Sequence, residues 1–105
     1  MYPTWANRST FDYTGSVLTG TDIRYGRNLQ HSQHVSAAEY AALRQHFLDR
    51  EVAIGTSRTA PANDSIGAWL QAEVSRTALA SYVGPILLLE GFAQRTAPSQ
   101  IRVIR

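Results

Sequence analysis

The chain has 105 residues, ten basic against eight acidic side chains for a formal net charge of +2, and 44% apolar residues. That is enough core for one domain, too apolar for a disordered chain and too short for two self-supporting units. Cysteine is absent, which excludes disulfides and thiol chemistry, and no run approaches the roughly 18 apolar residues of a membrane span.

Every basic side chain is an arginine and no lysine occurs. Alongside the many alanines, this is the ordinary mark of a GC-rich coding bias. Chemically it presents planar forks that suit phosphates and carboxylates. The first residues lack the basic start and apolar run of a signal peptide, so a cytoplasmic, membrane-free protein is expected.

Residues 1–10 are polar around Pro3 and read as a loosely held arm that Tyr2 and Trp5 could pin. Residues 11–105 then read as a single α+β domain. Phe11 to Leu18 and Ile23 to Leu29 have strand character, joined by the turn Thr19-Gly20-Thr21-Asp22. The polar stretch His31-Ser32-Gln33-His34 reads as a connector. Ser36-Ala37-Ala38-Glu39 is a capping box, with Val35 and Tyr40 at staple spacing, and predicts a helix from Ala37 to Asp49.

A short strand, Glu51 to Gly55, leads into a loop from Thr56 to Asp64 that contains Pro61. Asp64 or Ser65 caps a second helix with the stripe Ile66, Trp69, Leu70 and Val74. Ser75-Arg76-Thr77 forms a turn and a new cap. A third helix carries Leu79, Tyr82, Val83, Ile86 and Leu89, but Pro85 lacks an amide hydrogen and should kink or split it. Phe92 to Arg95 and Ile101 to Ile104 complete a hairpin around Ala97-Pro98-Ser99. The inward positions of these elements are Tyr40, Leu43, Phe47, Val52, Ile54, Ile66, Trp69, Leu70, Leu79, Val83 and Ile86.

From residue 36 onward the order is helix, strand, helix, helix, strand, strand. That order, with Val74-Ser75-Arg76-Thr77-Ala78-Leu79 running on to Leu89-Glu90-Gly91-Phe92-Ala93-Gln94-Arg95, resembles the recognition helix and wing of bacterial winged helix-turn-helix regulators. The resemblance covers residues 36–105. It implies a winged-helix-like fold after an N-terminal β-hairpin, and a small regulatory domain that binds double-stranded DNA. Base and backbone contacts would come from Arg76, Thr77, Ala80 and Ser81, and further phosphate contacts from Arg95, Arg102 and Arg105 on the wing.

Other groupings are weaker. Thr56, Ser57 and Arg58 follow Gly55 at a strand end and could hold an anion, although the lysine and second glycine of a P-loop are missing. His31 and His34, at i and i+3, could chelate a metal only on a helix, but they precede the cap at Ser36, so these and His46 read as exposed histidines and no metal is expected. No Gly-x-Ser-x-Gly or triad pattern occurs, so neither an enzyme nor a cofactor is expected. The run Ile86-Leu87-Leu88-Leu89 is apolar on every face, which points to a homodimer seam at Leu87 or Leu88, or to a non-enzymatic protein-interaction module.

Overall fold

The computed structural model describes residues 1–105 and forms an α+β domain of two antiparallel sheets and three helices. The first sheet has the order β1-β2-β3-β4: β1 (Tyr2–Pro3), β2 (Thr10–Ser16), β3 (Gly20–Tyr25) and β4 (His31–Val35). The second is assembled from β5 (Glu51–Ala53), β7 (Gln100–Val103) and β6 (Ala93–Ala97), in that spatial order. The helices are α1 (Ala37–Phe47), α2 (Ile66–Glu73) and α3 (Ala80–Leu89).

The capping box forms as the spacing predicts. The Glu39 amide donates to Ser36 Oγ at 3.0 Å, and the Ser36 amide donates to the Glu39 carboxylate at 2.9 Å. The helix stops two residues early, at Phe47, where Leu48 turns extended and bridges to Val103. Ser65 caps α2 by accepting from the Ala68 amide at 3.0 Å. Thr77 caps nothing: its own amide donates to Ser75 Oγ at 3.2 Å, and α3 begins only at Ala80.

The largest departure lies between residues 23 and 35. The second strand ends at Tyr25, a 3-10 turn covers Arg27–Leu29, and His31–Val35 is a strand rather than a connector. It pairs in register with β3, from Thr21 opposite Val35 to Tyr25 opposite His31. As an edge strand it buries only Val35, so its sequence could stay polar.

The N-terminal arm is also tighter than expected. Tyr2 and Pro3 pair with Phe11 and Thr10, and Trp5 keeps only 4% of its surface exposed. The Trp5 amide donates to the Ser81 carbonyl at 3.0 Å, and its indole N–H donates to the Pro98 carbonyl at 2.8 Å. The first bond explains why Pro85 neither splits nor ends α3. In an α-helix the residue at 85 would bond the carbonyl at 81, and proline cannot. The arm supplies the missing donor.

One core joins the layers. Ten of the eleven inward positions predicted above are buried; Trp69 is half-exposed. Leu43 is fully buried, fixing the register of α1. Phe11, Ile23 and Val35 of the first sheet, with Val17 from the turn between β2 and β3, belong to the same cluster. The Glu90 carboxylate ties the end of α3 to that sheet, accepting from Tyr13 Oη and the Val17 amide, both at 2.9 Å. Burial beside this carboxylate raises the Tyr13 phenol well above its ordinary pKa, so it stays a donor throughout the working pH range.

Candidate functional site

The structure separates the residues expected to read DNA. In α3 only Leu89 is exposed; Ala80 is fully buried and Ser81 is half-buried with its carbonyl held by Trp5. A helix that enters a major groove needs a free face. The first sheet and the N-terminal arm cover much of this one, leaving Ser81, Tyr82, Pro85 and Leu88 half-buried and Leu89 exposed. Ala80 thus lies in the core, while Ser81 keeps part of its surface.

The expected wing contacts divide as well. Arg95 stacks on Trp5, 4.1 Å from the ring centroid, and donates to the carbonyls of Trp5 and Pro98 at 3.1 and 2.7 Å. Arg105 lies over Phe92 and donates to the carbonyls of Gly91 and Glu90. Both are engaged in holding the fold. Arg102 stays exposed on β7, beside Glu51 and Gln94 on the neighbouring strands.

Nor do the three residues of the anion loop act together. Ser57 Oγ accepts from the Ala60 amide at 3.0 Å and so closes its own turn. Thr56 is half-buried. Ser57 and Arg58 are exposed, and the Arg58 carbonyl is held by Gln71 Nε2 at 3.0 Å, so that the loop is fastened to α2.

Arg58 meets Arg76 there. With Tyr25, His31 and Thr77 they line an open cleft of about 430 Å³. Four parts of the chain build it: the end of β3, the start of β4, the loop before α2 and the turn before α3. Tyr25 and His31 face each other across the strand pair, ring centroids 5.4 Å apart. Ser75 Oγ donates to Gln33 Oε1 at 3.3 Å and fastens the α2–α3 turn to β4. No carboxylate lines the cleft, and neither guanidinium is in an ion pair.

Behind the cleft the rings continue inward. Tyr25 stacks on Tyr82 at 4.8 Å, and Tyr82 meets Phe11 edge-on at 5.4 Å. Burial raises the Tyr82 phenol above its ordinary pKa, neighbouring Tyr25 adds to the rise, and Arg58 pulls against it.

The histidines are spread over the molecule. His34 Nδ1 is 2.9 Å from Asp22, His46 Nε2 is 3.9 Å from Asp64, and His31 lies in the cleft. Leu87, expected at a dimer seam, is fully buried inside the monomer, and Leu88 is half-buried. A second depression, about 290 Å³ and mostly apolar, runs between the arm and the end of α3, where Tyr2, Trp5, Pro85, Leu88 and Leu89 line it.

Sequence reasoning found Arg58 and Arg76 in two unrelated motifs. It missed Tyr25 and His31 as a pair, because pairing across β3 and β4 has no signal in so polar a strand. No helix is long and apolar enough to cross a membrane. No protein-family model, curated protein or solved structure matches the chain.

Proposed function

We propose that the protein is a small non-enzymatic regulatory domain that binds nucleic acid, DNA in the first place, by seating backbone phosphate on Arg58 and Arg76. The observation that carries this reading is the cleft itself. Two guanidiniums from separate segments open into one space with no acidic neighbour, whereas Arg44, Arg50, Arg95 and Arg105 are bonded elsewhere in the fold. Guanidinium forks hold phosphate oxygens through two parallel hydrogen bonds, and the Thr77 hydroxyl adds a neutral donor. Arg102 is not part of the cleft lining.

Fluorescence anisotropy with labelled oligonucleotides, single-stranded and duplex, at a series of salt concentrations tests this. Two phosphate contacts give a slope of about −2 for log affinity against log salt. The Arg58→Ala/Arg76→Ala double variant should bring that slope close to zero, while Arg102→Ala should leave most of it. Salt-independent association, or none tighter than about 10⁻⁴ M, overturns the reading.

A second reading, a protein-interaction module that pairs with another copy of this chain, rests on Leu89. That side chain is 56% exposed at the rim of the apolar depression. With Leu87 inside the core, the seam would consist of Leu88 and Leu89. Sedimentation equilibrium should then give a dimer that Leu89→Glu dissociates, since contiguous exposed leucines favour association. A monomer for both proteins removes this reading.

A further inference from the structure

We infer that the cleft takes an unpaired nucleotide, the base against the aromatic rings and its phosphate on the two arginines, so that the protein prefers single-stranded nucleic acid to duplex. The inference rests on the nucleic-acid reading and specifies which form of the polymer this site accepts.

Three observations carry it. First, the cleft is a recess among strand ends, a loop and a turn, and no helix lines it that could enter a groove. A site that cannot read base edges from a groove must reach bases that are already splayed out. Second, the cleft is an open hollow of about 430 Å³ lined by cationic and aromatic side chains together. A phosphate-only contact for duplex needs no such hollow.

Third, the cationic and aromatic groups are adjacent. The rings of Phe11, Tyr82, Tyr25 and His31 follow one another at 5.4, 4.8 and 5.4 Å, from the core to the cleft. The inner rings are held by packing, and the outermost, His31, is exposed. The strand pairing sets its backbone opposite Tyr25, and its ring passes close over Gly26, where an added Cβ would lie 2.6 Å from the imidazole. Bases stack on histidine, on tyrosine and on guanidinium planes alike, with little dependence on sequence. An exposed ring next to two guanidiniums outside any ion pair offers both halves of a nucleotide a partner at once.

The test uses the full chain and three labelled probes of equal length: oligothymidylate, a mixed-sequence duplex, and a strand of abasic sites. Anisotropy titrations at one low salt concentration should rank oligothymidylate about tenfold tighter than the other two. His31→Ala should lower affinity for oligothymidylate about tenfold and leave the abasic strand unchanged. His31→Phe, which keeps an aromatic face, should restore most of the loss. Circular dichroism of each variant establishes that the fold is intact. Duplex binding as tight as oligothymidylate, or equal affinity for the abasic strand, overturns the inference while leaving phosphate binding in place. Absence of salt-dependent binding to all three probes removes the nucleic-acid reading itself.

Discussion

Trp5→Ala is expected to cost about 3–5 kcal/mol of unfolding free energy, as removal of a large core aromatic usually does. Residues 1–10 looked like a loose arm, and an arm tryptophan would cost almost nothing. In the fold the indole is nearly enclosed, bonded to the Pro98 carbonyl, stacked by Arg95 and pressed against Gly84. A Cβ at position 84 would lie 2.7 Å from the ring, so helix and indole leave no room for a side chain between them. Urea denaturation followed by the fluorescence of Trp69 measures the loss. Trp5→Phe should recover most of it, because the Pro98 carbonyl keeps its bond from Arg95. A cost below about 1 kcal/mol for Trp5→Ala would mean that the arm detaches freely in solution.

Gly67→Ala is the second large effect, and its sign is the informative part. At an open helical site this change stabilises by up to about 1 kcal/mol, since alanine is the better helix former. Here it should destabilise by about 3 kcal/mol, at the upper end of what overpacking costs. The Gly67 amide donates to the Ile54 carbonyl at 2.9 Å, and an added Cβ would fall on the Gly55 carbonyl group. Both obstacles are backbone, which cannot swing aside as a flexible side chain would. Gly55 itself sits at φ 69° against Ser65, so the strand end and the helix start are locked to each other. Thermal unfolding of Gly67→Ala decides the point: an unchanged or higher Tm means that α2 does not abut β5.

What was legible in the sequence was local. The capping box, the Ser65 cap and the inward positions of α1 depend on neighbours within a turn or two, and these came through. The β5-α2-α3-β6-β7 order was legible for the same reason, since each element carries its own periodicity. What the pattern hid was long-range. His31–Val35 pairs with β3 through backbone groups, which leave no trace in side-chain polarity. Pro85 looked like a flaw because the partner for the Ser81 carbonyl comes from residue 5, far away in the chain. Leu87 looked like surplus because nothing in its own helix reveals that a sheet covers the other side.

The candidate site follows the same division. Arg58 and Arg76 were each visible as an arginine in a suggestive local setting, one after a strand and one before a helix. Their convergence depends on how the β5–α2 loop folds back on Gln71 and how Ser75 meets Gln33. Conversely, Arg95 and Arg105 were indistinguishable in sequence from free cations. Only the fold reveals that carbonyls and aromatic rings already occupy them.

The covering of α3 has a consequence for how the chain acquires its structure. The β1–β4 meander meets α1 soon after its own strands, through the buried Thr21–Tyr40 bond, but Phe11 and Tyr25 have their aromatic partner Tyr82 only on the third helix. Tyr13 waits 77 residues for Glu90, and Trp5 waits 93 for Pro98. Contacts of such separation must repay a loop-closure entropy before they hold, so the meander gains its stability last. Neither half of the molecule is a miniature of the whole: cut between β4 and α1, one piece would be a sheet with a bare apolar side and the other a helix stripped of its cover. The polypeptide therefore has one point of commitment, the arrival of α3 between its two sheets, and until then it is a chain that needs shielding from its neighbours.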